Sequence, residues 1–153
     1  MAGRLTAERP RRLLLATDLS ARSDRALDRA TQLANQWDAE LIVVHALEEP
    51  PVSDAVPSWH RRADGRATAE ARARQEIHAT NPAARVVVEA GQPGEVILRT
   101  AEAQGCDLIV VGIARDELLG RVFLGSTVDC LLQRAHAPVL VVRRRARQPY
   151  SSI

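Results

Sequence analysis

Apolar residues gather in five short unbroken runs, at residues 13–16, 41–44, 86–88, 108–111 and 139–142, and these runs do not alternate with polar positions. A strand with one wet face alternates, whereas a strand covered on both faces reads as a continuous apolar run. The runs therefore predict the strands of a parallel sheet lying between two layers of helix. After the first run, Ala26, Leu27, Ala30, Leu33, Ala34 and Trp37 recur at three-and-four spacing, the single apolar stripe of an amphipathic helix. Residues 61–79 are rich in the helix formers Ala, Arg and Glu, with Gly65 weakening the start and Asn81-Pro82 supplying a stop. Pro93 near a first helical position opens a third helix, with Val96, Ile97, Thr100 and Ala101 inward and Gly105 at its end. A last helix is predicted from near Ser126 through Val128, Leu131, Leu132 and Ala135.

The resulting order, β-α-β-α-β-α-β-loop-α-β, predicts an α/β fold: an open, doubly wound, five-stranded parallel sheet with helices on both faces. Right-handed crossovers enforce that winding, and ligands of such sheets lie beyond the carboxyl ends of the strands where it reverses. Two connections are long enough for a lid or a partner surface: residues 48–59, which include Pro50, Pro51 and Pro57, and residues 113–124.

Composition narrows the chemistry. The chain has 153 residues, which suits one domain with a substantial core. Its 21 basic residues are all arginine, and with 19 acidic residues they leave a formal charge of +2, which implies no polyanionic partner. The absence of lysine excludes a Walker-type phosphate lysine, a Schiff-base lysine and a lysine general base. Cys106 and Cys130 have neither disulfide-framework nor zinc-site spacing and read as buried thiols. No apolar run approaches the length of a membrane span and the amino terminus has no signal-peptide core, so a cytoplasmic protein is expected.

Asp18 directly follows the first run, where its carboxylate can accept hydrogen bonds from a ribose or base; Asp18 or Ser20 capping the next helix is nearly as good a reading. Gly112 ends the fourth run, and Gly125-Ser126-Thr127 stands where the last helix begins. Backbone N–H groups and the helix dipole favour an anion there, with a phosphate as the natural candidate; a turn and a helix cap without any ligand is the competing reading. His45, His60, His78 and His136 show no metal-ligand spacing and are assigned structural roles. No Gly-x-Ser-x-Gly and no cysteine beside a base occurs, so a binding module is expected and not an enzyme.

The segments LLLATDLS, LIVVHALEE, DLIVVG and LGSTVDCLLQRAHAPVLVVRR together resemble the universal stress protein family over nearly the whole chain. The resemblance implies a Rossmann-like five-stranded fold, usually dimeric, and in one branch a site for ATP or another adenine nucleotide, with Mg and without a dedicated protein metal site. Nucleotide-binding members carry Gly-x2-Gly-x9-Gly followed by Ser or Thr. Here Gly112, Gly125 and Ser126 match, but Arg115 replaces the second glycine. Arginine resists the positive φ that a tight backbone cradle needs, yet Arg115 or Arg121 can also present a guanidinium to a phosphate. The resemblance further places Ala16, Thr17 and Asp18 around the nucleotide, with Ala46 offering backbone groups to adenine and Thr127 adding a donor beside Ser126. Any ATP hydrolysis would be slow and incidental.

The expected layout is a flexible segment over residues 1–10, the domain over 11–146 and a tail over 147–153. The Pro-Tyr tail resembles the start of a second repeat in tandem members. Residues 138–143 read as an edge strand, which the resemblance pairs across a two-fold axis through Val139 to Val142, or with a second repeat. Arg143, Arg144, Arg145 and Arg147 lie beside it, but without stacking aromatics a nucleic-acid partner is not expected.

Overall fold

The computed structural model describes residues 8–19, 21–48, 58–113 and 125–143. In chain order the elements are β1 (Arg12–Ala16), α1 (Ala21–Trp37), β2 (Glu40–Leu47), α2 (Ser58–Thr80), β3 (Arg85–Ala90), α3 (Pro93–Gln104), β4 (Leu108–Ile113), α4 (Gly125–Arg134) and β5 (Val139–Arg143). All four strand pairings are parallel, in the order β3-β2-β1-β4-β5. The chain winds outward from β1 to β3, then crosses to build β4 and β5 on the other side. The winding therefore reverses between β1 and β4, whose residues Leu13 to Ala16 lie in register with Leu108 to Val111.

Strand alternation feeds two cores. Leu13, Leu15 and Val43 point to one face and meet Ala26, Ala30 and Ala34 of α1 and Ala73 and Ile77 of α2. Leu14, Ile42, Val44, Ile109 and Val111 point to the other, against Val96, Ile97 and Ala101 of α3 and Val128 and Leu131 of α4. Leu13, Leu14 and Leu15 are each fully buried, which is why their run shows no polar alternation. Each such leucine contributes about 1.5–3 kcal/mol of burial energy.

One boundary differs from expectation. The second helix starts at Ser58, so Trp59 and His60 belong to α2 and not to the preceding loop, and Gly65 lies in the helix interior. A mid-helix glycine costs about 1 kcal/mol. The alanine- and glutamate-rich run that follows, with exposed i,i+4 pairs between Arg74 and Glu70 (2.5 Å) and Arg72 and Glu76 (3.1 Å), favours continuing the helix. The remainder of the first long loop, residues 49–57, and residues 114–124 of the second lie outside the described residues.

The two ends of the sheet differ. β5 is half-buried on both faces, Leu140 and Val142 leaning on the α1 side and Val139 and Val141 on the α3–α4 side. At β3, Arg66 of α2 donates from Nη2 to the Val88 carbonyl at 3.1 Å. At the amino ends of the strands, the Asp107 carboxylate accepts the backbone N–H groups of Arg11 and Arg12 at 2.8 and 3.0 Å, fastening the entry of β1 to the start of β4.

Helices α3 and α4 touch closely because Gly94 has no side chain. A Cβ there would stand 2.9 Å from Cys130 Sγ and 3.2 Å from Cys130 Cβ. Alongside, Arg134 in the last turn of α4 bonds Glu95 in the first turn of α3. That bond, followed by the guanidinium charge, holds the Glu95 carboxyl below its usual range.

Candidate functional site

The carboxyl end of β1 does not fray into its loop. Thr17 N–H donates to Val44 O at 3.0 Å, extending the ladder one residue beyond the strand. The Thr17 carbonyl lies 2.9 Å from His45 Nδ1. Thr17 Oγ1 accepts the Leu19 N–H at 3.0 Å, a tight side-chain turn that accommodates Leu19 at φ +60°. That conformation costs a non-glycine residue about 1–2 kcal/mol, partly offset because Leu19 packs against the α1-side core.

Asp18 sits between these two residues, exposed. Its Oδ1 accepts the Ser23 hydroxyl at 2.9 Å, and the Ser23 oxygen lies 3.4 Å from the Asp18 N–H. Ser23 is in the first turn of α1 and is 6% exposed. The carboxylate is therefore tied to the helix start while facing water, which accommodates both the capping and the ligand readings of Asp18. Ser20 lies outside the described residues.

Across the reversal, Gly112 is within β4, in register with Val142, and the strand runs one residue further to Ile113 than expected. Gly125 opens α4 with φ +71°, and among the described residues nothing stands within 4 Å of where its Cβ would be. Only glycine takes that conformation without strain. Ser126 is exposed and Thr127 half-buried, so the first turn of α4 presents N–H groups that have no partner inside the helix. Ala46 occupies β2 next to His45, in register with Glu89, and packs on the same side of the sheet as Ala16. Parallel topology thus gathers Ala16, Thr17, Asp18, Ala46, Gly112, Gly125, Ser126 and Thr127 at the carboxyl end of the sheet. Arg115 and Arg121 lie outside the described residues.

Two residues bonded at this turn were not among the site residues expected from the sequence. Ser23 gave no signal beyond its place early in a helix that follows Asp18. His45 was assigned a structural role, and its contact with the Thr17 carbonyl is of that kind, strand alternation with Val43 putting it on the Thr17 side of the sheet. His78, by contrast, serves the other pole: its Nε2 lies 3.0 Å from Ala84 O.

That other pole holds a cavity of about 370 Å³ lined by Leu98, Ala101, Cys106, Ile109, Arg134 and His136. Burial pushes the Cys106 thiol up to about 11, with the Arg12 charge opposing the shift. The group is a protonated, weakly polar wall at neutral pH, remote from the gathered residues. Among the described residues no three His, Cys, Asp or Glu side chains cluster as metal ligands, and no helix is long and apolar enough to cross a membrane.

Residues 10–143 match the model of the universal stress protein family. The chain belongs to that family. A universal stress protein of Thermus aquaticus is 34% identical over 133 residues, covering 86% of this chain and 97% of the relative. A universal stress protein solved in complex with cAMP is 22% identical, covers 88% of this chain and 97% of its own, and superposes with a TM-score of 0.61. The universal stress protein of Archaeoglobus fulgidus in complex with dAMP is 19% identical over 85% of this chain and 95% of its own, with a TM-score of 0.59. At these identities the two structures establish the shared fold.

Proposed function

We propose that this domain is a stress-response or signalling module that binds an adenine nucleotide, ATP or a related adenosine phosphate, at the carboxyl end of β1 and β4. The observation that carries the reading is one juxtaposition: a carboxylate anchored beyond β1 shares the sheet's carboxyl end with a glycine-led helix start, where no described residue crowds Gly125. These are the two complementary halves of a nucleotide site, an acceptor for ribose hydroxyls and a donor set for phosphate. The family's cAMP and dAMP complexes support the adenosine-phosphate class.

In this reading Asp18 accepts the ribose hydroxyls, and Ala16 and Thr17 wall the nucleoside. Ala46 offers its backbone to the base. The absence of a side chain at Gly112 lets the nucleotide approach the end of β4. The N–H groups of Gly125, Ser126 and Thr127, with the two hydroxyls, receive phosphate. Magnesium enters with the nucleotide. Arg115 either obstructs the phosphate loop or clamps the phosphate by its side chain. Among the described residues no set for acid–base or nucleophilic chemistry accompanies these groups, and binding, without turnover, is the activity proposed, in the cytoplasm.

The half-buried apolar edge at β5 supports a second function, self-association through Val139 to Val142, or pairing with a second repeat. Native mass spectrometry of freshly purified protein, followed by denaturation, reads subunit count and retained nucleotide together. Titration with ATP, AMP and cAMP then tests binding directly: at a hundred times Kd a ligand of the folded state adds about 2.7 kcal/mol of stability. No thermal shift with any of them at millimolar concentration refutes the nucleotide reading and leaves the association module. Arg115→Gly raises affinity if arginine obstructs and lowers it if arginine clamps.

A further inference from the structure

We propose that His45 is a positioning residue of the nucleotide site, acting through a single tautomer to hold the Thr17–Leu19 turn. The inference rests on the adenine-nucleotide reading for its ligand and on geometry alone for the turn.

The partner of His45 Nδ1 at 2.9 Å is a backbone carbonyl. A carbonyl has no proton to give, so Nδ1 carries it, and in the neutral ring Nε2 is left as the acceptor. The bond is therefore N–H to carbonyl. It falls where the sheet runs out: β1 ends at Ala16, in register with Val44, and the next residue on β2 is His45. There β2 supplies a side-chain donor to the first carbonyl beyond β1.

The consequences run along the turn. Thr17 is held at three atoms, its N–H by Val44, its carbonyl by His45 and its hydroxyl by Leu19. Releasing the carbonyl allows the Thr17–Asp18 peptide to rotate. That rotation opens the turn holding Leu19 in its strained conformation and swings Asp18 relative to Ser23. A half-buried ring on β2 thereby sets the direction of a carboxylate beyond β1. Nucleotide affinity then depends on pre-organisation that His45 supplies without touching the ligand.

Three measurements on the intact chain test this. Long-range proton–nitrogen NMR of the parent should show the Nδ1–H tautomer at His45; an Nε2–H ring overturns the proposal without any variant. Amide exchange should rise about tenfold at Leu19 in His45→Leu, which keeps bulk but removes the donor, and return towards the parent in His45→Asn, whose amide nitrogen stands near the Nδ1 position. ATP Kd should weaken about tenfold in His45→Leu, the scale of one net hydrogen bond, and recover in His45→Asn. Unchanged exchange and unchanged Kd in a folded His45→Leu refute the proposal. If the parent binds no adenosine phosphate while exchange behaves as stated, the nucleotide reading falls and the positioning of the turn stands.

Discussion

Replacing Gly94 by alanine sets two effects of known size against each other. Within a helix, glycine to alanine ordinarily stabilises by about 0.5–1 kcal/mol through the restricted unfolded chain. Here the new methyl would stand 2.9 Å from Cys130 Sγ and 3.2 Å from Cys130 Cβ, both well inside normal carbon and sulfur contact. Overpacking of this kind costs about 1–3 kcal/mol, so Gly94→Ala should destabilise by roughly 1 kcal/mol net. Cys130→Ala removes the nearer atom and leaves only the 3.2 Å contact, which a shift of a few tenths of an ångström relieves. In that background the same substitution should be close to neutral. Urea denaturation of the four proteins of this cycle gives the coupling directly, and the expected value is about 1 kcal/mol or more. Gly94→Ala stabilising the parent, or costing the same in both backgrounds, would refute the close contact of α3 with α4. Because α4 carries Gly125 and Ser126 at its start, the destabilised variant should also lose nucleotide affinity.

Other substitutions probe the remaining contacts. Gly125→Ala meets no atom of the described residues but inherits φ +71°; chemical denaturation should show a loss of about 1–2 kcal/mol from conformation. Ser23→Ala removes the hydroxyl bonded to Asp18; since exposed Asp18 can turn to water, about 1 kcal/mol should be lost, with calorimetry showing weakened nucleotide binding. Asp107→Ala leaves the Arg11 and Arg12 N–H groups without their carboxylate and should cost about 1–2 kcal/mol in a urea melt, with faster amide exchange at Arg12. Cys106 keeps its proton to a higher pH in the folded state, so its stabilising contribution is complete below pH 9, the ordinary value, and fades as pH rises towards about 11. In a Cys130→Ala background, modification of Cys106 by a thiolate-selective reagent should be slow at pH 8 and accelerate through that window.

The strands were legible because a strand neighbour on each side and a helix layer on each face leave β1, β2 and β4 no wet face, and unbroken runs such as 13–16 and 108–111 follow directly. Gly105 at φ +63° ended α3 where its type predicts, with its N–H turned back to Ala101 and Glu102. The start of α2 was less legible: prolines before Ser58 and a glycine at 65 argued for a later start, whereas the helix continues through the glycine. Of the candidate residues, Asp18, Gly112 and Gly125 stood out by their places at run ends or at a helix start. His45 and Ser23 did not, because each acts on a neighbour's backbone or carboxylate across a gap that only the folded register closes. A histidine in an apolar strand looks the same in sequence whether it props a core or a loop.

Arg66 has a consequence for growth. A parallel sheet with two bare sides is a tile that can be added to without limit, each copy offering the next another seam. The guanidinium on the Val88 carbonyl occupies an acceptor on the β3 side, where an incoming backbone would have to evict an arginine before bonding. The β5 side carries half-buried aliphatic residues instead. If copies pair through β5, as proposed above, each would use up its permissive seam and the stack would stop at two. On that proposal a single long side chain reaching down from α2 would bias the molecule toward a closed pair over a filament.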